Sequence, residues 1–385
     1  SFFLSNPLKS SPIPQKMRSI SLLLIPLLLY ACAPREETKG TGMRYATLLT
    51  LEEGAGWTYV EVRSPWKNGE ALGRYLLADR AEKVAIPDSI LARGAQRIAV
   101  PVERATVLSS VHAALLFELG AGQRVAALAD AEYVMSDTLR RALADGRITA
   151  IGSSMQPDRE GMLRTKSEVA LVSPYEGSSG PALPRGITAV LCADYMEDTP
   201  LGRAEWMRFY GRLVGQGERA DSLFETVRKQ YDSISHCVKA APEHPRLLCD
   251  YVQSGSWPMP GGRSYLASLF ADAGARYVFA DNDDRGSIFL SLETVLTKGA
   301  NADVWLLKYG ADKDITASTL VDEQPLYARF AALQRGRAYT CNTLRTAYYE
   351  EVPFHPDYLL RDVAAICHPQ LFPGYSPRYY QPMDQ

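Results

Sequence analysis

The stretch 218–239, ERADSLFETVRKQYDSISHCVK, indicates how the whole chain is organised. Its apolar residues recur at steps of three and four, which is typical of a helix with one apolar stripe. These residues are Ala220, Leu223, Phe224, Val227, Tyr231, Ile234 and Val238. Pro242 and Pro245 end the pattern. At 1.5 Å per residue the helix is roughly 33 Å long, which is long enough to connect two lobes.

Short β-branched runs lie on both sides of this helix and alternate with helical stretches. Before the helix they occupy 98–100, 106–108, 125–128, 169–172 and 187–191. After it they occupy 246–252, 277–279, 304–307 and 338–340. Strands that alternate with helices predict α/β units with mostly parallel sheets. The predicted fold class is therefore α/β, with two Rossmann-like lobes joined by one long α-helix.

Two sequence echoes indicate that the lobes are built alike. The stretch 116–125, LFELGAGQRV, is echoed by 269–278, LFADAGARYV. Farther along, Glu160 opens a stretch that leads to the predicted strand 169–172, and Glu293 opens a similar stretch before 304–307. The echoes occur in the same order in both halves, although any helix followed by a strand produces some likeness of this kind.

An apolar run near the start of the chain predicts export and lipid attachment. A basic start at 17–18 and the apolar residues 22–29 have the layout of a secretory signal, and LYAC at 29–32 is typical of a lipobox. The run is too short to span a bilayer, which takes about 20 apolar residues. We therefore expect a lipid on Cys32, followed by a flexible tether. A simple membrane anchor, or a secreted protein with a chance cysteine, is the alternative.

Alternating apolar and polar residues at 44–66 predict a β-hairpin ahead of the main fold, around the turn sequence EGAG at 53–56. The role of this hairpin is open. The sequence predicts six segments in order: an upstream extension with the lipoprotein signal peptide (1–32), a tether and β-hairpin extension (33–96), an N-terminal lobe (97–216), the inter-lobe helix (217–241), a C-terminal lobe (242–373) and a tail (374–385).

The composition excludes several classes of function. The 385 residues carry a net charge of −2 and no run of five like charges, which gives no electrostatic basis for binding nucleic acid. The signatures GxSxG, HExxH and GxGxxG and the Walker loop are absent from the sequence. We therefore predict neither an enzyme nor a resident cofactor.

Residue types that bind metals are too scattered in the sequence to predict a metal site. The five histidines show no paired spacing, and the five cysteines beyond Cys32 lack a C-x-x-C motif. The acidic turn 281–286 imitates a calcium loop, but Arg285 and Leu292 stand where oxygen ligands are needed. Buried thiols are expected for the cysteines, with one disulfide as the alternative.

Aromatic and arginine residues follow several of the predicted strands, including Tyr348 and Tyr349 after 338–340. Open α/β sheets bind ligands outside the carboxyl ends of their strands. Rings and guanidinium groups there suit a large, flat or multiply charged organic molecule, so we predict a cleft between the lobes. Its candidate ligand-binding residues are Tyr133, Tyr175, Arg203, Trp257, Arg263 and Arg345. Ordinary packing is the alternative for each of them.

Several segments resemble, in the same order, the periplasmic solute-binding proteins (the long-helix class III) of ABC importers for iron complexes and cobalamin. They are RIAV (97–100), LSSVH (108–112), LFELG (116–120), the segment 151–172, PLGRAEW (200–206), SLETVL (291–296) and HPQLF (368–372). The resemblance implies two lobes with little closing motion and a cleft for an iron-siderophore, haem or a corrinoid. It also implies an ABC permease dimer with its ATPase subunits as the partner.

The resemblance further implies that one glutamate on each lobe docks onto arginines of the permease. The matching positions are Glu160 and Glu293. The alternative is that these acids only favour the macrodipole near a first helical turn. The expected protein is a solute-binding protein for an iron complex, held in the periplasm or cell envelope by lipid on Cys32. A cobalamin-binding protein of the same class, or a sensor sharing the fold, is the alternative, and a chelatase-like enzyme lacks a visible catalytic set.

Overall fold

The computed structural model describes residues 42–67, 70–81, 83–178 and 180–384. The predicted signal peptide, Cys32 and the tether up to residue 41 lie outside the described residues. Within them, no helix is both long enough and apolar enough to cross a membrane. The five cysteines of this part of the chain are free thiols, and Cys237 is the exposed one.

The hairpin predicted at 44–66 is confirmed, and it belongs to a four-stranded sheet. The strands are β1 (Leu49–Gly54), β2 (Trp57–Arg63), β3 (Ala71–Asp79) and β4 (Gln96–Val100), with a single turn of helix, α1 (Asp88–Leu91), before β4. The first three pair antiparallel, and β4 joins β3 in parallel. We call this sheet the accessory sheet. The predicted start of the N-terminal lobe at residue 97 falls inside its last strand.

The N-terminal lobe is built on a parallel sheet with the strand order β7-β6-β5-β8-β9. Its strands are β5 (Ala105–Val107), β6 (Val125–Leu128), β7 (Thr149–Ala150), β8 (Val169–Val172) and β9 (Thr188–Leu191). Its helices are α2 (Ser110–Glu118), α3 (Asp137–Ala144), α4 (Arg159–Arg164), α5 (Pro200–Glu205) and α6 (Met207–Leu213). The runs in β6 and β8 are buried throughout because helices cover both faces of a parallel sheet.

The predicted inter-lobe helix is confirmed as α7 (Gly217–Lys239), 23 residues long. Its apolar stripe divides between two cores. Ala220, Phe224 and Val227 pack in the core of the N-terminal lobe. Tyr231 and Val238, one to three turns farther along, pack in the core of the C-terminal lobe. One rigid element therefore belongs to both lobes.

The C-terminal lobe has the strand order β12-β10-β14-β15-β16, in which only β16 runs antiparallel. Its strands are β10 (Arg246–Cys249), β11 (Trp257–Pro260), β12 (Arg276–Tyr277), β13 (Ser287–Leu290), β14 (Val304–Tyr309), β15 (Ala338–Asn342) and β16 (Gln381–Pro382), of which β11 and β13 form a separate two-stranded ribbon. Its helices are α8 (Tyr265–Asp272), α9 (Leu292–Gly299), α10 (Ala317–Glu323), α11 (Ala331–Gln334), α12 (Tyr348–Glu351) and α13 (Pro356–Cys367).

The two lobes share a four-strand plan, as the sequence echoes indicate. The order β6-β5-β8-β9 in one lobe corresponds to β12-β10-β14-β15 in the other. The echoed helices α2 and α8 each begin at a serine cap, Ser109 and Ser264. Each is followed by a glycine in the left-handed region, Gly120 with φ +75° and Gly274 with φ +74°, where a side chain would strain the turn.

The C-terminal residues are part of the lobe that precedes them. The buried carboxylate of Asp362 on α13 accepts the backbone N–H groups of Arg378, at 2.8 Å, and of Tyr379, at 2.6 Å. It also accepts the hydroxyl of Tyr375 at 2.7 Å. These bonds hold the chain so that β16 pairs with the edge of β15. The segment predicted as a tail at 374–385 therefore covers a sheet edge.

Candidate functional site

A cavity of about 430 Å3 lies at the carboxyl ends of the strands of the N-terminal lobe. Its wall is formed by segments that directly follow β5, β6, β7 and β8, and by Tyr349 of the C-terminal lobe. Parallel α/β sheets place ligand sites at this edge because the loops of several strands meet there. Since both lobes contribute, the cavity lies in a cleft between them, and we call it the tyrosine pocket.

Four large side chains at the rim of the tyrosine pocket are exposed. They are Tyr133, at 63% exposure, Met155, at 64%, Tyr175, at 47%, and Tyr349, at 54%. Only eight large apolar side chains are exposed in the described residues, so half of them surround this one cavity. Exposed aromatic groups concentrated around a concave surface are the usual sign of a binding site.

Two of the loops that carry these side chains are fixed by Asp130. This residue follows β6 in the left-handed region, with φ +51°. Its N–H donates to the carbonyl of Gly152 at 2.8 Å, and its carboxylate accepts the N–H of Ser154 at 3.0 Å. The carbonyl of Asp130 in turn accepts the N–H of Tyr133 at 3.1 Å. The loops after β6 and β7 are therefore joined, which positions Tyr133 and Met155 on the same rim.

The tyrosine pocket is nearly free of charge. Four serines supply its small polar groups: Ser109, Ser110, Ser154 and Ser173. Apart from its tyrosines, Asp130 is the one ionisable residue in its described lining. This lining favours stacking against a ring system and neutral hydrogen bonds over the binding of a strongly anionic group.

A second cavity, of about 380 Å3, lies at the carboxyl ends of the strands of the C-terminal lobe, and we call it the lysine pocket. Lys308 near the end of β14 and Asp250 directly after β10 line it, together with Arg285 and Tyr265. Tyr195 of the N-terminal lobe closes its other side. The hydroxyl of Tyr195 donates to the carbonyl of Pro174, beside the tyrosine pocket. The two pockets are therefore neighbours in one cleft.

Lys308 and Asp250 form a mostly buried ion pair in the lysine pocket. The ammonium Nζ lies 3.4 Å from Asp250 Oδ1 and 5.7 Å from the centre of the Tyr348 ring. Burial by itself lowers the pKa of Lys308, but the carboxylate of Asp250 acts against it, and the net pKa lies well above the ordinary value. The lysine is therefore charged at neutral pH.

Helix α12 carries Tyr349 into the cleft. Its Glu350 and the loop that follows lock the C-terminal lobe onto the N-terminal lobe, and we call these contacts the closed side of the boundary. Both oxygens of Glu350 accept backbone N–H groups of the other lobe, from Met135 and Ser136, at 2.8 Å each. Burial raises the pKa of Glu350. Phe354 is packed inside the N-terminal core, and His355 Nε2 lies 2.8 Å from Glu118 Oε1. These contacts leave little freedom for the lobes to rotate.

The segment 44–48, ahead of the accessory sheet, is held by two buried glutamates. Glu205 accepts the N–H groups of residues 44, 45 and 46 at 2.8 to 3.0 Å. Glu197 accepts those of residues 47 and 48, as well as the indole N–H of Trp206 at 2.9 Å. Tyr45 packs against both cores. The segment therefore forms a strap that is bonded to the N-terminal lobe and contacts both cores through Tyr45.

The structure places two of the six predicted ligand-binding residues, Tyr133 and Tyr175, on the tyrosine pocket. Arg263 lies at the edge of the cleft, where it and Arg285 both contact Asp198 Oδ2 of the opposite lobe, at 3.3 and 3.1 Å. Arg345 is half-exposed and pairs with Asp314 at 2.6 Å, and it is not part of the lining of either pocket.

Trp257 and Arg203 must be corrected from ligand contacts to packing residues. Trp257 is completely buried, its ring stacks on Trp305, and its indole N–H donates to the carbonyl of Cys249 at 2.9 Å. Arg203 is mostly buried, with Nε 3.2 Å from Asp194 Oδ2 and its guanidinium over the ring of Tyr265. Trp257 therefore has no surface for a ligand, and only 11% of the Arg203 side chain is exposed.

Three cleft residues were not among the predicted ligand contacts. Met155 follows β7, a strand of two residues that is too short to give a pattern in the sequence. Tyr349 is one of two adjacent tyrosines in the segment after β15, and the predicted ligand contact in that segment is Arg345 instead. Lys308 interrupts the apolar strand sequence VWLLKY, and a charge inside a buried strand is the signal that could have identified it.

Glu160 and Glu293 occupy matching positions on the two lobes. Each is the second residue of its helix, α4 or α9, after the caps Asp158 and Ser291. The helices lead into the equivalent strands β8 and β14, so each begins at the carboxyl edge of its sheet, on the same edge as the cleft. Both glutamates are exposed, and the Glu160 side chain is 87% accessible.

The cluster around His112 is buried and belongs to the scaffold. His112 Nε2 lies 2.9 Å from Asp194 Oδ1, which also accepts the hydroxyl of Tyr210 at 2.9 Å. Burial by itself raises the pKa of Asp194, but the nearby His112 and Arg203 lower it by more. The net pKa therefore lies below its ordinary value, and the carboxylate is ionised. The described residues contain no group of three or more His, Cys, Asp or Glu placed to hold a metal ion.

Comparison with known proteins agrees with this geometry. The family described as periplasmic binding protein matches residues 106–343, well over half of the chain. An uncharacterized lipoprotein of Methanocaldococcus jannaschii is 26% identical over 296 residues, which cover 74% of this chain and 69% of that protein.

Solved structures share the fold at low sequence identity. One is an ABC-type Fe3+-hydroxamate transport system from Saccharomonospora viridis, with a TM-score of 0.54, 20% identity, and coverage of 72% of this chain and 95% of that one. Another is a periplasmic heme binding protein from Pseudomonas aeruginosa, with a TM-score of 0.55, 14% identity, and coverage of 74% and 99%. These likenesses concern the arrangement of the lobes.

Proposed function

Because this chain belongs to the periplasmic binding protein family, we propose that it is the solute-binding component of an ABC importer for an iron complex, either a ferric siderophore or haem. It captures the complex in the cleft between the lobes and delivers it to a permease dimer with its ATPase subunits. Capture and delivery, rather than catalysis, is its role. Nucleic acid is not a partner.

The tyrosine pocket is the observation that carries this proposal. A cavity of about 430 Å3 with three exposed tyrosines and a methionine at its rim suits a bulky, largely apolar organic complex better than a bare ion. The two solved structures of the same fold also support it, because one is described as a Fe3+-hydroxamate transport protein and the other as a heme-binding protein.

A corrinoid is the second candidate ligand, because the pocket is also compatible with a planar macrocycle. A titration panel separates the candidates. The purified protein is titrated with haem, a ferric hydroxamate siderophore and cobalamin, and binding is followed by absorbance and by calorimetry. We expect one iron complex to bind with a dissociation constant in the micromolar range or below. Binding of cobalamin alone would select the corrinoid, and binding of none of the three would contradict the proposal.

Glu160 and Glu293 are the proposed docking residues, one for each half of the permease. Their matching helix positions and their exposure support this role, because two symmetric subunits require two equivalent contacts. Arg164 lies 3.7 Å from Glu160, at the end of a loose surface pair that an arginine of the permease can replace.

The docking proposal is tested by reversing both charges with Glu160→Lys and Glu293→Lys. We expect ligand affinity to stay unchanged and uptake by cells that carry the importer to fall at least about tenfold, as for the loss of one or two charged contacts. Glu103→Lys with Glu243→Lys is the matched control, because these exposed glutamates precede the equivalent strands β5 and β10 at the opposite sheet edges. Unchanged uptake by the first pair would favour a sensor that shares the fold.

The proposal includes a lipid on Cys32 that holds the protein at a membrane of the cell envelope. The lipobox sequence and a similar protein described as a lipoprotein support it. A short tether keeps a binding protein close to its permease and so raises its effective concentration there. Metabolic labelling with a fatty acid, compared with a Cys32→Ala variant, tests the anchor, and equal labelling of both forms would disprove it.

A further inference from the structure

The cleft has two chemically different halves. The tyrosine pocket, on the N-terminal lobe, contains no lysine, arginine or histidine among its described lining residues. The lysine pocket, on the C-terminal lobe, contains Lys308 and Arg285 with the single carboxylate Asp250. All the cationic groups that line the cleft cavities therefore face the ligand from one lobe.

The ammonium group of Lys308 is incompletely satisfied by the protein. Asp250 is the only hydrogen-bond acceptor that it contacts within the described chain, at 3.4 Å, whereas an ammonium has three donors. Its side chain is only 17% exposed. Because buried charged donors normally have a full set of partners, a group that fills this pocket is expected to accept from Lys308.

The carboxylate of Asp250 is held where it is by the backbone. Asp250 has φ +57°, which is unfavourable for a residue with a side chain. Its N–H donates to the carbonyl of Leu306 at 2.8 Å, and its carbonyl accepts the indole N–H of Trp305 at 2.8 Å. Both partners lie on the adjacent strand β14, so Asp250 orients Lys308 toward the cavity and keeps it charged.

Arg285 is a second cation in the lysine pocket, and it shares its carboxylate partner, Asp198, with Arg263. Arg285 and Arg263 contact the same oxygen, Oδ2, of Asp198, and this carboxylate serves both guanidinium groups. The other oxygen, Oδ1, is buried without a hydrogen-bond partner within the described residues. The lysine pocket and its edge therefore carry three cations against two carboxylates, so an anionic substituent is attracted to this half of the cleft.

We infer that the cleft is built for an amphipathic metal complex, whose apolar, planar body packs against Tyr133, Tyr175 and Tyr349 and whose acidic substituent binds Lys308 and Arg285. This inference rests on the proposed function and narrows its ligand to an acidic macrocyclic complex, of which haem, with its two carboxylates, is the available example. A corrinoid has neutral amides around its ring and carries its anionic phosphodiester on the nucleotide loop, and a ferric hydroxamate has an uncharged surface. Neither therefore places a carboxylate in the lysine pocket beside a stacked ring.

The inference is tested with haem and haem dimethyl ester, which share the ring and differ in the two carboxylates. Their dissociation constants are measured by absorbance titration of the purified protein. We expect the wild type to bind haem about tenfold or more tightly than the ester, as for one hydrogen-bonded charge pair. Arg285→Gln, and the double variant Asp250→Asn with Lys308→Gln, should bring the two affinities together and leave the affinity for the ester unchanged.

The double variant and a matched control separate an effect on binding from an effect on folding. The double variant removes both members of the buried pair, so it does not leave a buried charge that would unfold the lobe. Lys298→Gln is the matched control, because Lys298 pairs with Asp281 on the surface of the same lobe, outside the cleft. This control should keep the wild-type ratio.

The outcomes separate the inference from the proposed function. If haem and the ester bind the wild type equally, or if the ratio survives in both cleft variants, the two-part cleft is wrong while the role in ligand capture stands. If haem does not bind but a ferric siderophore or cobalamin does, the acidic macrocycle is likewise excluded. If none of these complexes binds, both proposals fail.

Discussion

The two sides of the boundary between the lobes are built in opposite ways. On the cleft side, Tyr133, Tyr175 and Tyr349 leave large parts of their rings without protein contacts. On the closed side, Glu350 and Phe354 are buried in contacts with the other lobe. The difference indicates that one side maintains the geometry and the other is free to bind, so stability and ligand affinity should respond to different substitutions.

Other buried carboxylates extend this contrast to the ends of the described chain. Glu205 and Glu197 hold the N-terminal strap, and Asp362 holds the last residues against β15. A carboxylate that accepts several backbone N–H groups satisfies donors that would otherwise be buried without partners. Both segments therefore strengthen the scaffold around α7, which agrees with a fold that closes little on its ligand.

The largest expected effect is the loss of stability in Glu205→Ala. This substitution leaves three backbone N–H groups of the strap without their acceptor. It also removes one of the two carboxylates that Arg208 contacts, since Asp221 still accepts from its Nε at 2.8 Å. Removing one member of such a buried set costs about 3–5 kcal/mol. We expect this decrease in the free energy of unfolding, measured by urea denaturation, with ligand affinity within about twofold of wild type for the folded fraction.

Glu225→Ala, on an exposed face of α7, is the control for this substitution, and it should change the free energy of unfolding by less than about 0.5 kcal/mol. A loss below about 1 kcal/mol in Glu205→Ala would show that the strap does not stabilise the scaffold.

A smaller effect, with a defined pH dependence, is expected for Asp357→Asn on the closed side. Burial raises the pKa of Asp357 to about 6 from 3.8, and its Oδ1 has no hydrogen-bond partner within the described residues. The folded state then binds the proton more tightly than the unfolded state, so wild-type stability falls as the pH rises from about 4 to about 6. The penalty amounts to up to about 3 kcal/mol and is complete above that range.

Asparagine cannot ionise, so the variant should be more stable than wild type at pH 7.5 and similar to it near pH 4. Urea denaturation at the two pH values measures the difference. A variant that is destabilised equally at both would mean that the Asp357 carboxylate is not strained by burial.

The smallest effect on stability, and a clear effect on binding, is expected for Tyr133→Ala combined with Tyr175→Ala. Each ring contributes about 0.5–1.5 kcal/mol of stacking to a bound ring system, which corresponds to an affinity loss of about 5- to 150-fold for the pair. The exposed rings make few contacts within the protein, so the free energy of unfolding should change by less than about 0.5 kcal/mol.

Leu91→Ala, which alters an exposed apolar side chain of α1 far from the cleft, should change neither quantity. If the tyrosine variant were as unstable as Glu205→Ala, or kept full affinity, the contrast between the two sides of the boundary would be lost.

Much of the scaffold could be predicted because its signals are local. The stripe of α7 and the hairpin β1–β2 are encoded within single segments. Strand β3 escaped prediction because Tyr75 to Ala78 are buried on both faces and therefore do not alternate. The strap could not be predicted, since Glu205 meets its N–H groups across about 160 residues of sequence.

The candidate site was harder to predict because position after a strand does not determine exposure. Tyr133 follows β6, and Trp257 lies in the segment after β10, where it begins β11. Tyr133 is nevertheless exposed in the cleft, whereas Trp257 is buried in the core of the C-terminal lobe. The difference depends on which loops cover the edge, and those loops come from distant parts of the chain. Lys308 was difficult to predict for a different reason, because it lies within strand β14, whose other residues are buried in the core.

The most direct test of the central claim is a crystal structure of the protein with the iron complex that binds best in the titration panel. We predict that the complex lies between Tyr133, Tyr175 and Tyr349, with Glu350 still accepting the N–H groups of Met135 and Ser136. A complex bound outside the cleft, or one bound after rotation of the lobes had broken the Glu350 contacts, would contradict it.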